Sequence, residues 1–131
     1  MADLETVSTT EAPAAIGPYS QGVKCGNLLF VSGQIPLDPD PKRDDDLIKG
    51  GIEVQTKQVL ENIKAILREA DLELTDVVKT TLFISNMEDF EQINGVYSEY
   101  FTHHKPARAC VEVARLPKGV GIEIEIIASI D

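Results

Sequence analysis

The stretch that decides the fold is 107–126, ARACVEVARLPKGVGIEIEI. Successive side chains of a strand point to opposite faces. From Ala107 to Val113 that alternation sets Ala107, Ala109, Val111 and Val113 on one face, and Arg108, Cys110 and Glu112 on the other. From 121 to 127, Ile122, Ile124 and Ile126 line one face while Glu123 and Glu125 point the opposite way. Between them Leu116-Pro117-Lys118-Gly119 is a turn, because Pro and Gly set backbone angles that a strand does not use.

Upstream, Ile52 to Leu72 carries apolar residues at 52, 59, 60, 63, 66, 67 and 70, the spacing of an amphipathic helix, with Glu53 and Lys57 as an i,i+4 pair on its other side. Asp76 to Ile84 is dense in β-branched residues and is expected to form a strand. Ser85 to Glu88 has capping-box spacing, and Phe90, Ile93, Tyr97, Tyr100 and Phe101 follow on one helical face, which predicts a second helix over 87–102. Near the start, Val23-Lys24-Cys25 and Leu28 to Ser32 flank a Gly26-Asn27 turn and form a hairpin. The sum is an α+β domain spanning 1–131, with one mixed sheet and two helices on one face.

The 131 residues suffice for one domain with its own core. Aromatics make up 5% and Trp is absent, so aliphatic side chains must fill that core. The formal charge is -10, from 22 acidic and 12 basic residues. A field of that sign repels phosphate backbones and anionic lipid, which argues against nucleic-acid and membrane partners. A small anionic substrate remains open, since one local Arg outweighs a diffuse distant field. The residues 12–22 form an ordered loop rich in Ala, Pro and Gly. The residues 36–50, with three Pro and five Asp, form an exposed acidic loop; Asp44-Asp45-Asp46 lacks the pattern of a calcium-binding loop. Cys25 and Cys110 lie far apart without metal-ligand spacing, and no signal-peptide pattern or long apolar run is present. These absences make the cytoplasm the expected compartment.

A sheet covered on one side leaves its second face to water or to a partner. That face is expected to carry Arg108, Cys110 and Glu123 among branched aliphatics, a semi-buried surface with a polar cleft. Burying it against copies of the same chain is the economical arrangement, so an oligomer is expected.

Three sets of residues carry a family resemblance. Ile16-Gly17-Pro18-Tyr19-Ser20-Gln21 and Val31-Ser32-Gly33-Gln34-Ile35 resemble the N-terminal signatures of the reactive-intermediate deaminase (RidA/YjgF) proteins. Val78-Lys79-Thr80-Thr81 and Asp89-Phe90…Asn94…Tyr97 match the middle of that family. The 106–118 stretch with Ile122-Glu123-Ile124-Glu125 is similar to its C-terminal signature. The match runs from about residue 12 to the end, and the 38–50 loop, longer and more acidic than usual there, is its main departure.

The resemblance implies a chorismate-mutase-like homotrimer with a central barrel and substrate clefts between subunits. It implies hydrolysis of 2-iminobutanoate and 2-iminopropanoate to 2-oxo acids and ammonia, at a site matching Tyr19, Ser32, Gly33, Asn94, Arg108, Cys110 and Glu123. The residue types suit that chemistry. A guanidinium fork binds a planar carboxylate at two points, the role expected of Arg108. A protonated imine is already electrophilic, so a held water suffices, and Glu123 can orient it and move protons to the departing ammonia. The backbone near Cys110 offers a further acceptor, while Ser32, Gly33 and Tyr19 shape the pocket. The scheme needs no metal and no organic cofactor.

Each role has a structural competitor. Arg108 could pair with Glu112 or an interface carboxylate, and Glu123 could be an exposed strand residue like Glu125. Cys110 could serve as a small hydrophobe. Ser32 and Tyr19 could simply pack. Asn94, beside an apolar stripe, needs a partner that could be backbone. His103 and His104, near a helix C-terminus, read as surface residues. Competing functions are a ribonuclease, against which the acidic charge and the missing basic stripe count; a metabolite-binding or chaperone-like protein without turnover; and a deaminase of another imine or enamine.

Overall fold

The computed structural model describes residues 3–40, 47–48 and 50–131; the Asp44–Asp46 run of the acidic loop lies outside them. Six strands, β1 (Leu4–Val7), β2 (Gly22–Cys25), β3 (Leu28–Gln34), β4 (Val77–Ile84), β5 (Ala107–Glu112) and β6 (Ile122–Ser129), form one sheet in the order β1-β2-β3-β6-β4-β5. All neighbours are antiparallel except β4 and β5. Helices α1 (Ile52–Glu69) and α2 (Phe90–Tyr100) pack together over the sheet. The mixed α+β architecture agrees with the sequence reading.

The alternation of β6 sets the layers. Ile122, Ile124, Ile126 and Ala128 are buried, as are Leu29 and Val31 of β3 and Leu82 and Ile84 of β4. They meet Val59, Leu60, Ile63, Ile66 and Leu67 of α1 and Ile93 of α2 in one core. Each fully buried aliphatic side chain contributes roughly 1.5–3 kcal/mol, so this layer carries the fold.

Several expectations are corrected. A first strand precedes the hairpin: Leu4–Val7 pairs with β2 through Leu4↔Cys25 to Val7↔Gly22. Its four residues are too short to show a period. Helix α1 ends at Glu69 rather than Leu72, because Asp71 turns to φ 59°. The Leu72 N–H then bonds to the Leu67 carbonyl (2.9 Å) and the Asp71 N–H to that of Arg68 (3.0 Å), a Schellman closure with Asp in the usual glycine position. Helix α2 starts at Phe90 rather than 87; Met87–Asp89 is a 3₁₀ turn capped by Asn86, whose side chain accepts from the Glu88 N–H at 3.0 Å. Ser85 is therefore not the cap. In the hairpin, Gly26 takes φ 61°, a conformation that favours glycine.

The strands flanking the 116–119 turn are not neighbours. The β4–α2–β5 run is a parallel crossover, which needs a helix between its strands, and β6 returns on the other side of β4. Their registers decide where the functional side chains point. Thr80↔Arg108, Leu82↔Cys110 and Ile84↔Glu112 pair across β4 and β5, and Thr80, Leu82 and Ile84 are buried under the helices. Phe83↔Glu123 and Thr81↔Glu125 pair across β4 and β6, on the side opposite Ile84↔Ile122. The expectation that Arg108, Cys110 and Glu123 share the open face is thus overturned. The first two face the helices and only Glu123 faces away, because Arg108 and Cys110 register with Thr80 and Leu82 on one side of β4 and Glu123 with Phe83 on the other. What remains on the open face is more apolar than expected: Val23, Phe30, Phe83, Val111 and Ile127 lie there, with Phe30 and Val111 each 43% exposed.

Candidate active site

Two clefts hold the residues singled out in the sequence, except Cys110, which lines neither. The first, about 490 Å³, is lined by Tyr19, Ser32, Gly33 and Glu123 together with Gln21 and Pro117. The second, about 430 Å³, is lined by Asn94, Tyr97 and Arg108, with Lys105 at its rim. Arg108 and Glu123 line different clefts.

The first cleft is built by pinning the 9–21 loop onto β3. Gln21, 3% exposed, is the pin. Its carbonyl oxygen accepts from the Thr9 N–H at 2.6 Å, and its amide donates to the carbonyls of Thr9 (3.1 Å) and Pro13 (2.7 Å). The Ser32 hydroxyl donates to the Ser20 carbonyl, and the Ser32 N–H to that of Gln21 (2.9 Å). Tyr19 is 54% exposed at the cleft edge, next to Gly17 at φ 126°. The β3–β6 register shifts between Val31 and Gln34, and Gly33 sits in that irregularity. A Cβ added at Gly33 would meet the Glu123 carboxylate, with its Cδ at 2.8 Å and Cγ at 3.1 Å. Only glycine lets the backbone come so close to this carboxylate.

Glu123 and Glu125 both line the cleft. Burial, and then repulsion from Glu125, hold the Glu123 carboxyl above the ordinary glutamate range. A carboxyl so placed is better suited to hand a proton on than an exposed one.

In the second cleft, the Arg108 Nη1 donates to Asn94 Oδ1 at 2.7 Å, so the partner that Asn94 needs is this arginine. The guanidinium carbon lies 4.9 Å from the Tyr97 ring centroid and 5.4 Å from that of Phe90. The competing pairing with Glu112 does not occur: Glu112 Oε1 accepts from the Met87 N–H at 2.7 Å. Among the described residues no ion pair is formed by Arg108. The Cys110 thiol is half-buried against the core, and burial pushes its pKa up although Arg108 pulls it down. It has the surroundings of a packing residue rather than of a thiolate nucleophile. His104 is half-buried and its Nε2 bonds to the Val77 carbonyl, which corrects its reading as a surface residue; His103 is exposed. No group of three His, Cys, Asp or Glu side chains among the described residues could hold a metal ion.

Sequence reasoning missed Gln21, Pro117 and Tyr97 as parts of these clefts, and Phe90 as a ring beside Arg108. A glutamine opening a strand, directly after Gly-Pro-Tyr-Ser, was the available signal for the first. Phe90 and Tyr97 lie in the apolar stripe of α2 and look like core in any periodicity.

The comparisons with known proteins give the family and the fold. The Endoribonuclease L-PSP family matches residues 9–130. A RutC family protein of Pyrococcus abyssi is 56% identical over 95% of both chains. A 2-iminobutanoate/2-iminopropanoate deaminase of Salmonella typhimurium is 50% identical over 95% of this chain and 96% of its own. Among solved structures, E. coli TdcF with bound serine superposes with a TM-score of 0.88 at 45% identity, covering 95% of this chain and 98% of its own. With the match covering strands β2 to β6 and both helices, the chain belongs to the Endoribonuclease L-PSP (RidA/YjgF) family.

Proposed function

We propose that this protein hydrolyses short 2-imino acids, 2-iminobutanoate and 2-iminopropanoate, to 2-oxo acids and ammonia. The observation that carries the reading is Arg108: an arginine fixed by a neutral amide and two rings, and paired with no carboxylate among the described residues. Such a group is prepared for an anionic ligand. The 50% identity to a deaminase named for these two imines supports the substrate class.

The site is shared between copies of the chain. Three copies, arranged as in chorismate mutase around a central barrel, bury their open apolar faces and bring the Arg108 groove of one against the Glu123 cleft of the next. Arg108 takes the substrate carboxylate in its fork, and Tyr19, Ser32 and Gly33 shape the opposite wall. A water held by Glu123 attacks C2 of the protonated imine and gives up a proton to that carboxylate. The proton then goes to nitrogen, the C–N bond breaks with its electron pair on nitrogen, and ammonia leaves as the C2 hydroxyl gives its proton to the Glu123 carboxylate and becomes the carbonyl; that proton passes on to the ammonia or to water. Main-chain atoms of Cys110 supply a further acceptor for the water, with the thiol as packing. The residues call for no cofactor, and the two widely separated cysteines fit a cytoplasmic setting. No helix among the described residues is long and apolar enough to cross a membrane.

Serine bound to E. coli TdcF supports a second reading, binding of small amino-acid-like metabolites without turnover. A threonine dehydratase coupled to this protein under excess semicarbazide, which traps free imine, separates the two. Restored 2-oxobutanoate formation by wild type and not by Arg108→Ala supports hydrolysis. An unchanged trapped fraction with both rejects it and favours the binding reading.

A further inference from the structure

We infer that Tyr97, fixed by Thr80, is the positioning residue that orients the Arg108 guanidinium toward the substrate carboxylate. This rests on the reading of Arg108 as the carboxylate clamp. Arg108 belongs to an edge strand and is exposed, so nothing in β5 itself restrains its long side chain. Free arginine rotamers would have to be frozen on binding, which weakens the complex.

The restraint comes from α2. The Tyr97 ring lies 4.9 Å from the guanidinium carbon, closer than Phe90 at 5.4 Å, and Asn94 fixes the in-plane direction through Nη1. Tyr97 is itself clamped. Its hydroxyl and Thr80 Oγ1 are 2.8 Å apart in the core, where Thr80 is 0% and Tyr97 6% exposed. Phe101 packs on the ring with centroids 4.7 Å apart. Thr80 is also the β4 residue that pairs with Arg108 in the sheet register. One residue therefore fixes both the strand position of the arginine and the tilt of the ring beneath it.

A buried hydroxyl pair is the costlier way to fill a core, since phenylalanine and valine would occupy the same space without polar atoms. What it adds is a single orientation of the ring. Burial also holds the phenol above its ordinary range, so Tyr97 stays neutral and offers Arg108 a ring face rather than a phenolate.

The test is the kinetics of the full-length oligomer with 2-iminobutanoate. Tyr97→Leu removes the ring and is expected to raise KM about tenfold with kcat nearly unchanged, since ring and rotamer restraint are lost together. Tyr97→Phe and Thr80→Val keep a ring and remove only the tether; each is expected to raise KM about threefold. In an Arg108→Lys background, which keeps a cation but no planar group to stack, Tyr97→Leu is expected to add less than it does in wild type. If Tyr97→Leu does not fold, the Phe and Val variants carry the decision. Folded variants with wild-type KM, alongside lost hydrolysis in Arg108→Ala, overturn the positioning role and leave the clamp standing. Wild-type hydrolysis by Arg108→Ala itself overturns both.

Discussion

Arg108 and Glu123 leave the sheet on opposite faces, with strand β4 between their own strands. Arg108 pairs with Thr80, which is buried under the helices, and Glu123 pairs with Phe83 on the open side. A sheet keeps its two faces apart along its whole width, so no rotamer change brings these groups onto one small substrate within a single copy. Each is nevertheless prepared where it stands: the guanidinium by Asn94 and two rings, the carboxylate by a cleft that raises its proton affinity. Two prepared halves on separate surfaces of one chain are what a site completed by a second copy requires.

Gly33→Ala is expected to damage the site from the backbone side. The added methyl would run into the Glu123 carboxylate, which must swing out of the cleft or push β3 away. Overpacking of this kind destabilises by about 1–3 kcal/mol. The expected outcome is a lower Tm and a fall in kcat of at least tenfold, measured by thermal unfolding and the coupled assay. Retained kcat would mean that Glu123 need not stand where the structure has it.

Glu123 gives a signed pH prediction. Its carboxyl is raised by burial first and by Glu125 second. It therefore binds a proton more tightly folded than unfolded. The stability tied to it is complete below the ordinary glutamate value and is lost as pH rises through the raised folded value. Glu123→Gln, which carries no charge, should melt higher than wild type near neutral pH, and the difference should shrink as pH falls toward about 4. Glu125→Gln should move the acidic limb of the kcat profile downward, since it removes the second cause of the shift. A limb unmoved by Glu125→Gln would assign it to another group.

Gln21→Ala removes the pin of the 9–21 loop. Thr9, Ala12 and Pro13 lose their side-chain partners at once. Unmaking buried hydrogen bonds without replacements costs about 1–3 kcal/mol. Hydrogen exchange should quicken across 8–20 and KM should rise, because Tyr19 is carried by that loop. Unchanged exchange there would show that the loop is held by something else.

The sequence was readable where one side chain reports one face. The Ile122, Ile124 and Ile126 alternation located the core, and the Val59 to Leu67 spacing located the helix that covers it. The pairing of strands was not readable, because nothing in 107–126 says that β4 enters between β5 and β6. The registers on β4, Arg108 with Thr80 and Glu123 with Phe83, put Arg108 and Cys110 on the helix side. The residue types of the site were visible through their signatures, while their supports were not. Tyr97 and Phe90 share the apolar period of α2, and only coordinates distinguish a ring beneath a guanidinium from a ring in the core. Asp71 ended α1 early at a position where no glycine or proline marked a stop.

The most direct test of a site shared between copies is complementation in mixed oligomers. Arg108→Ala and Glu123→Gln are each expected to be inactive in 2-iminobutanoate hydrolysis. After unfolding together in equal amounts and refolding, random assembly should return about a quarter of wild-type activity, the fraction of interfaces that receive one intact Arg108 and one intact Glu123. Recovery at that level would establish that one copy supplies the arginine and its neighbour the glutamate. No recovery from a mixture that refolds into soluble oligomers would place both groups in the same copy's site and contradict the account.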